Sequence, residues 1–547
     1  MKKPSDLSRR TFLETGAMTA AGLFVGGVSG RAFAQELRLT DIGGTASTRY
    51  GRVRGRLMNG IHQFWGVPYG APTDGENRFM PPRAPAAWTG VRDCYQYGLR
   101  ALMAPGRGEP APVVRALNPQ SEQGDDCLNL NVYTRGLDSQ SRPVMVWLHG
   151  GGFAAGSASY LLYDGTNLAK KEDVVVVGVN HRLNLHGFLH LADIGGDKWA
   201  QSTNVGMQDQ VAVLRWVKDN IENFGGDPDR VTIFGQSGGA DKTTTLMAMP
   251  SAKGLYHRAI SQSGTRRRGT PASDASEQAE RFLSKLGIAT NDLDRLHQLS
   301  AQEIQDAYYS EPGIPGLGSG PVVDGTVIPR HPWDPTAPAY SADVPLMMGS
   351  TETENGWIGP PPYELSDEDM LDRFTSRLAD GNSTRGSELL QLYRQQHPQM
   401  RNQMLWLTAE SDDARRWHAQ ALGRLKQEQG AAPSYLYFFD WHSPVHHDRM
   451  GAYHTLDIPF VLYNLDIGAS MTGASRSRYE LGHAMSAAWA AFARTGDPNH
   501  ADMPTWPAFD PADYPTMMFG EDVRIMNDPN REERLALADL RRDRASS

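Results

Sequence analysis

Short apolar runs, most of them β-branched, constrain the fold of this chain more than any other feature. They occupy residues 144–148, 174–179, 231–234 and 346–348, and an aromatic run follows at 435–439. Each run is too short for a helix and lacks polar alternation, as expected for strands that are buried on both faces. We therefore predict a central sheet that is covered on both sides.

Helix-like stretches lie between these runs. Apolar residues recur at helical spacing over residues 209–224, which a Gly-Gly-Asp-Pro stop signal follows, and over residues 485–494. Strands that alternate with helices favour an α/β fold with a mixed, largely parallel sheet. No apolar run reaches 18 residues, so we expect no membrane span. The formal net charge of −9 gives no electrostatic reason to expect a nucleic acid partner.

The first 34 residues have the pattern of an export signal. A basic start contains Arg9 and Arg10, a charge-free run of small residues covers 16–30, and Ala-Phe-Ala at 32–34 offers a cleavage site. The arginine pair is typical of the twin-arginine route, and an ordinary secretory signal is the alternative. Both interpretations predict a periplasmic or secreted protein, and we expect residues 35–547 to form a single domain.

The pattern G-x-S-x-G at residues 235–239 follows the predicted strand at 231–234. Small neighbours allow a serine to occupy a sharp turn between strand and helix, with its hydroxyl exposed. This placement predicts that Ser237 is a nucleophile. The alternative is a glycine-rich turn with an incidental serine.

Three consecutive glycines at 150–152 follow the predicted strand at 144–148. Glycines let backbone amides approach a developing oxyanion without obstruction by side chains. We expect the donors to be the amides of Gly151, Gly152 and Gly238, the last of which comes directly after the serine. A phosphate-binding loop is the alternative, but the Gly-Lys-Ser/Thr that such loops carry does not follow.

Further motifs, in order along nearly the whole mature chain, resemble those of one family. They include Phe-Trp-Gly-Val-Pro-Tyr-Gly at 64–70, Asn-Val-Gly-Met-Gln-Asp-Gln at 204–210 and Phe-Ala-Arg-Thr-Gly-Asp-Pro-Asn at 492–499. With them the chain resembles the type-B carboxylesterases, the α/β-hydrolase branch that includes cholinesterases and para-nitrobenzyl esterases. The resemblance implies an α/β-hydrolase fold with a loop-built gorge. It also implies cleavage of small carboxylic esters through an acyl-enzyme, without a cofactor.

The resemblance supplies the acid and the base that a serine nucleophile needs. Residues 349–355 resemble the family's acid loop, in which the usual Asp-Glu-Gly is here Thr-Glu-Asn. Glu354 is therefore the predicted acid, and Glu352 is its competitor. Residues 451–460 resemble the family's histidine loop, which makes His454 the predicted base.

A cluster of histidines precedes the predicted base. Three histidines and a carboxylate within seven positions could ligate zinc, but no helical H-E-x-x-H pattern accompanies them. We interpret the cluster as a polar loop that leads to His454, without a metal. The cluster comprises His442, His446, His447 and Asp448.

Some residues near the predicted triad depart from the family or add to it. Gln236 stands where the family usually has Glu, which removes a negative charge near the imidazolium. Ser263 resembles a supporting hydroxyl of some relatives, and a plain serine at a strand end is the alternative. In relatives the segment after Gln-Ser-Gly borders the acyl pocket, so Arg266 and Arg267 are candidates to bind an acidic acyl group. A solvated basic loop is the alternative for this segment.

The two cysteines, Cys94 and Cys127, match the family's first disulfide, and two buried free thiols are the alternative. For the activity, the same triad would also serve carbamates, amides or thioesters. A binding module without catalysis is the alternative from a different class. Such members of the family typically lose a triad residue, whereas this chain keeps all three.

Overall fold

The computed structural model describes residues 42–103, 117–356, 364–445 and 447–546, and Thr40–Ser547 forms one compact unit. The predicted export signal at 1–34 lies outside the described residues. Thirteen strands of the described part form one sheet, and two more form a small second sheet. The strands are β1 (Ile42–Thr48), β2 (Gly51–Met58), β3 (Ile61–Pro68), β4 (Val91–Asp93), β5 (Asn129–Thr134), β6 (Arg142–Leu148), β7 (Val175–Val179), β8 (Gly226–Gln236), β9 (Arg258–Gln262), β10 (Thr270–Pro271), β11 (Val322–Val323), β12 (Leu346–Thr351), β13 (Ser434–Phe439), β14 (Pro515–Phe519) and β15 (Val523–Asn527).

The central strands of the large sheet run parallel to one another. Their order is β7-β6-β8-β9-β12-β13-β14, and every neighbouring pair within this set is parallel. Antiparallel pairing joins β1, β2, β3, β5 and β7 at one side and β14 with β15 at the other. The predicted mixed, largely parallel sheet is confirmed.

Helices connect the parallel strands, as crossovers between parallel neighbours require. No helix in the described ranges is long and apolar enough to cross a membrane. The helices are α1 (Thr166–Glu172), α2 (Asn184–Phe188), α3 (Val205–Asn220), α4 (Gly238–Met247), α5 (Ala272–Leu286), α6 (Ala301–Tyr309), α7 (Asp367–Arg373), α8 (Ser383–Gln396), α9 (Asn402–Ser411), α10 (Trp417–Gln429), α11 (Ile458–Val461), α12 (Ala469–Thr472), α13 (Ser477–Thr495) and α14 (Arg531–Ser546).

The short apolar runs are strands, as predicted from their length. The run at 144–148 lies in β6, whose side chains alternate between two buried clusters. Val144, Val146 and Leu148 pack into one cluster, whereas Met145 and Trp147 pack into the other. Because both faces of the strand are buried, its sequence is continuously apolar.

The predicted disulfide between Cys94 and Cys127 is absent. Both residues are free cysteines and are buried in the same apolar cluster. Burial raises the pKa of Cys94 to about 12 and raises that of Cys127 further, so both sulfurs stay protonated thiols. The structure therefore agrees with the alternative of two buried free thiols.

Candidate active site

Ser237 is the single residue between the end of β8 and the start of α4. Its backbone has φ 59° and ψ −125°, a combination that costs energy in a residue other than glycine. The Ser237 amide donates to the Gln262 carbonyl of the neighbouring strand at 2.8 Å, which fixes the turn. A Cβ on Gly235 or Gly239 would overlap the Leu148 carbonyl oxygen, so glycine is required on both sides of the serine. The structure thus has the sharp turn predicted from the motif, and Ser237 is half-buried.

Glu354 and His454 meet behind this turn. Glu354 follows β12, and its Oε2 accepts a hydrogen bond from Nδ1 of His454. The other carboxylate oxygen, Oε1, accepts from the Thr351 amide at 3.0 Å, and the Glu354 amide donates to the Ser411 hydroxyl at 2.8 Å. Both members of the pair are nearly fully buried, with exposed fractions of 1% and 4%. The sequence placed these two side chains on loops 100 residues apart, and the structure brings them into contact.

Glu352, the competitor for the acid, has a different partner. Its Oε2 accepts from Nε2 of His442, whose Nδ1 lies 3.1 Å from Oδ1 of Asp448. Burial acts to lower the pKa of His442, but the two carboxylates outweigh it and raise the pKa to about 9. Glu352 therefore belongs to a separate ion-pair cluster, and Glu354 alone of the two contacts His454.

Of the histidine cluster, His442 and Asp448 belong to this ion-pair group. Among the described residues, no group of three or more His, Cys, Asp and Glu side chains is arranged to hold a metal ion. His446 lies outside the described residues, and His447 is exposed.

The pKa of His454 reflects opposing influences. Burial, assisted by the Arg415 cation, lowers the pKa, while Glu354 and Asp241 act to raise it without offsetting burial. Burial acts to raise the pKa of Glu354, but His454 and Arg415 outweigh it and keep that carboxyl below its usual value. The pair therefore holds an ionised carboxylate next to a neutral imidazole.

Gln236 contacts the imidazole from the residue before Ser237. Its side-chain nitrogen lies 3.1 Å from Nδ1 and 3.2 Å from Nε2 of His454. Because Nδ1 carries the proton that is donated to Glu354, Nε2 is the ring nitrogen that can act as an acceptor. Gln236 is 1% exposed, and its Oε1 has no hydrogen-bond partner among the described residues. The amide thus places the serine turn and the imidazole side by side.

Ser263 lies directly after β9 and beside the acid. It is buried with φ 57°, and its amide donates to the Gly349 carbonyl at 2.8 Å. Its hydroxyl lies near enough to the Glu354 carboxylate to help lower that pKa, although its geometry falls short of a regular hydrogen bond. Ser263 is therefore both a strand-end residue and a neighbour of the acid.

The glycine loop at 149–153 presents unpaired amides. Nδ1 of His149 donates to the Gly150 carbonyl at 2.9 Å, and the Ala155 amide donates to the Gly151 carbonyl at 3.1 Å. In a planar trans peptide the N–H points away from the C=O, so these bonds aim the amides of Gly151 and Gly152 to the opposite side. Both glycines have positive φ, 92° and 63°. Neither amide donates to a described residue.

Gly238 adjoins this loop from the start of α4. A Cβ on Gly238 would overlap the backbone of Gly152, so the two main chains touch. As the first residue of the helix, Gly238 has an amide without an intrahelical acceptor, and no described residue accepts from it. The three amides predicted from the sequence therefore lie on one turn and one adjoining loop, beside Ser237.

The three arginines at 266–268 differ in whether they have a carboxylate partner. The Arg266 guanidinium lies 5.2 Å from the ring centroid of Phe153, at the end of the glycine loop, and no carboxylate among the described residues pairs with it. Arg267 and Arg268 both pair with Asp334, and Arg268 is largely exposed. Of the two arginines predicted to bind an acidic acyl group, Arg267 therefore has a carboxylate partner, whereas Arg266 has none among the described residues. A cavity of about 410 Å³ opens beside all three.

Sequence reasoning missed three charged residues around the site. Arg415, in the π-helical segment Asp412–Arg416, lies 3.7 Å from the Glu354 carboxylate, and no sequence signal marks it. Asp241 accepts hydrogen bonds through Oδ1 from the amides of residues 265 and 266, and so ties α4 to the arginine segment. Lys242 is fully buried in α4. The sequence does carry a signal for Asp241 and Lys242, because both charges fall in the helix directly after the serine turn and charged residues are rarely fully buried unless they are paired.

A strained serine turn over a largely parallel sheet, with an acid–histidine pair behind it, defines an α/β-hydrolase. The family model described as "Carboxylesterase family" matches residues 44–538, and the chain belongs to this family. It is 35% identical to the para-nitrobenzyl esterase of Bacillus subtilis over 500 residues, 90% of this chain and 98% of that one. The human cocaine esterase is 33% identical over 498 residues, 85% of this chain and 86% of that one.

Solved structures agree with the sequence relatives. The carboxylesterase EST55 of Geobacillus stearothermophilus superposes with a TM-score of 0.76 at 35% identity, over 90% of this chain and 99% of that one. An esterase of Clostridium hathewayi superposes with a TM-score of 0.78 at 31% identity, over 91% and 98% of the two chains. The fold predicted from the sequence is confirmed, and the protein is a serine hydrolase of carboxylic esters.

Proposed function

We propose that Ser237, His454 and Glu354 form the catalytic triad and that the amides of Gly151, Gly152 and Gly238 form the oxyanion hole. The observation that carries this proposal is the buried contact between Glu354 and His454, directly beside the turn that presents Ser237. In this arrangement Glu354 orients the imidazole, so that Nε2 faces the serine side of the pair.

The reaction proceeds in two halves. Nε2 of His454 takes the proton of the Ser237 hydroxyl as its oxygen bonds to the ester carbonyl carbon, and the carbonyl oxygen becomes an oxyanion. The three amides stabilise this charge. Collapse breaks the ester C–O bond, and His454 gives its proton to the leaving alcohol. Water, deprotonated by the same nitrogen, then attacks the acyl carbon. The bond from that carbon to the Ser237 oxygen breaks, His454 returns the proton to this oxygen, and the acid is released.

A serine-reactive fluorophosphonate tests the assignment of the nucleophile. Wild-type protein should bind one probe per chain at Ser237, and Ser237→Ala should lose both labelling and turnover of a para-nitrophenyl ester. Ser263→Ala is the matched control, since this serine is also buried near the acid, and it should still be labelled. Turnover by Ser237→Ala at the wild-type rate would contradict the triad.

For the substrate, we propose that Arg266 favours esters with an acidic acyl group. It is the arginine of residues 266–268 that has no carboxylate partner among the described residues, and it lies against Phe153 of the glycine loop. A guanidinium binds a carboxylate through two parallel hydrogen bonds. Arg266→Ala should raise KM for a hemisuccinate ester and leave KM for the matching acetate unchanged. Arg268→Ala is the control, and equal effects of Arg266→Ala on both esters would contradict this preference.

For location, we propose export by the twin-arginine route with cleavage after Ala34, which leaves a single mature domain at residues 35–547. The support is the paired Arg9 and Arg10 before a run of small residues and an Ala-Phe-Ala site. Replacing both arginines by lysine should hold esterase activity in the cytoplasmic fraction. Unchanged activity in the periplasm would favour the ordinary secretory route.

A further inference from the structure

Lys242 is a buried lysine for which the proposed chemistry has no use. It lies in α4, five residues after Ser237, and is 0% exposed. Its Nζ donates to the His149 carbonyl at 2.8 Å, and this is its single hydrogen-bond acceptor among the described residues. Burial lowers the pKa of Lys242 to about 7, against the opposing effect of Asp241. Because an ammonium group is costly to bury, its hydrogen bond to the His149 carbonyl is the contact from which we infer its role.

A second fully buried lysine of the described part, Lys426, allows a comparison of hydrogen-bond acceptors. Lys426 is also 0% exposed, but its Nζ donates to three acceptors: the carbonyls of Ser341 and Ala342, and the side chain of Gln429. Three acceptors satisfy the three N–H groups of an ammonium. Lys242 lacks this full set, so the packing around it does not account for its presence.

The acceptor of Lys242 stands at the start of the glycine loop. The His149 carbonyl begins the chain of peptide planes that ends at the amides of Gly151 and Gly152. The next carbonyl, that of Gly150, is held by the His149 ring, which itself stacks on His181 with centroids 4.9 Å apart. The His149 carbonyl and the Gly150 amide belong to one planar peptide group, so the hydrogen bond from Lys242 fixes the orientation of the first plane of the loop.

Lys242 also lies near the other end of the loop. Its Nζ is 5.6 Å from the ring centroid of Phe153, within the range of cation–π attraction. The helix that carries Lys242 begins at Gly238, which touches the loop at Gly152. One side chain therefore fastens both ends of the loop to the helix that supplies the third amide.

We propose that Lys242 is a positioning residue of the oxyanion hole, which holds the glycine loop in register with the amide of Gly238. This role rests on the proposed function, since it requires those three amides to bind the oxyanion. Lys242 touches no substrate atom, and it acts through the His149 carbonyl and the Phe153 ring.

Lys242→Met tests the role, because it keeps the apolar stem and removes the ammonium. Loss of one oxyanion donor costs about 10²–10³ in kcat, so loss of a residue that aims two donors should lower kcat at least about 10-fold. KM should stay unchanged, because the amides act on the transition state. A trifluoromethyl ketone, which forms a tetrahedral oxyanion on the serine, should lose affinity by the same factor as kcat/KM.

Lys426→Met is the matched control, because Lys426 is equally buried but does not contact the glycine loop. This variant should change the free energy of unfolding without that loss of kcat. If the fluorophosphonate labels Lys242→Met completely while kcat is low, the nucleophile is intact and the defect lies in the oxyanion hole. The triad assignment is tested separately, because it fails if Ser237→Ala keeps turnover. The proposal is overturned if folded Lys242→Met keeps wild-type kcat and inhibitor affinity. Lys242→Gln serves if the Met variant does not fold, and failure of both to fold would overturn the proposal in favour of a packing role.

Discussion

The Nε of Arg415 lies 3.7 Å from Oε2 of Glu354, the same oxygen that accepts the hydrogen bond from His454. A cation and an imidazole therefore share one buried carboxylate oxygen. The cation disfavours the imidazolium, and together with burial it lowers the pKa of His454. The charge state of the candidate base thus depends on a residue that no sequence motif marks.

The acid limb of the pH–rate profile reports this coupling. His454 accepts a proton only when neutral, so a pKa below 6.5 keeps kcat/KM high at more acidic pH than an ordinary histidine would. Arg415→Gln removes the cation, which raises the pKa of His454 and moves the acid limb to higher pH. Arg424→Gln, at an exposed arginine of α10, is the control. An acid limb that stays in place in Arg415→Gln would show that the cation is without influence.

The choice between Glu354 and Glu352 gives a second prediction. Glu354→Gln leaves the imidazole without its carboxylate, and we expect kcat to fall by about 10³–10⁴. Glu352→Gln changes the partner of His442 instead, so kcat should stay within a few-fold of wild type while the pKa of His442 falls. Kinetics on one para-nitrophenyl ester and NMR titration of His442 measure both effects. A larger kcat loss in Glu352→Gln than in Glu354→Gln would reverse the assignment.

A substitution of Gln236 can add a negative charge next to His454, whereas Arg415→Gln removes a positive one. Gln236→Glu is nearly isosteric and adds a carboxylate 3.1–3.2 Å from the imidazole nitrogens of His454. A nearby negative charge favours the imidazolium, so the pKa of His454 should rise and the acid limb should move to higher pH. Gln210→Glu, a buried glutamine of α3 without contact to His454, should leave the limb in place. A shift to lower pH in Gln236→Glu would contradict the contact.

The features of the fold and the site that local sequence encodes could be predicted, and those that depend on contacts between distant segments could not. The strands and the serine turn were predictable because run length and small residues report locally on burial and on a sharp turn. The pairing of Glu354 with His454 depended on the family resemblance, since 16 histidines offer no chemical choice. The contacts of Arg415 and Lys242 were unpredictable because they join segments that are distant in sequence. The prediction of a disulfide was wrong because two cysteines at the family's positions do not by themselves require a bond between their sulfurs.

Gly239 tests the close approach beneath the serine. A Cβ on Gly239 would overlap the Leu148 carbonyl oxygen, which is backbone and cannot rotate away. Gly239→Ala should therefore push α4 from β6, lower the free energy of unfolding by about 1–3 kcal/mol, and displace Ser237 enough to abolish most of the kcat. Gly313→Ala is the control, because a Cβ added there would meet no atom within 4 Å and the φ of Gly313 is ordinary. Wild-type kcat in Gly239→Ala would show that the serine turn can accommodate a methyl group.

Asp457 gives a pH dependence of stability rather than of rate. It is 0% exposed, its Oδ2 accepts from Gln262 at 2.8 Å and from Tyr437 at 3.2 Å, and burial raises its pKa from 3.8 to about 6. Because the folded pKa is above the unfolded one, its stability contribution is complete below pH 3.8 and is lost as pH rises through about 6. The loss is at most about 3 kcal/mol, from about 1.36 kcal/mol per pKa unit. Asp457→Asn keeps the neutral form, so its free energy of unfolding relative to wild type should rise between about pH 4 and pH 8, as urea unfolding would measure. A difference between Asp457→Asn and wild type that does not change with pH would rule out the raised pKa.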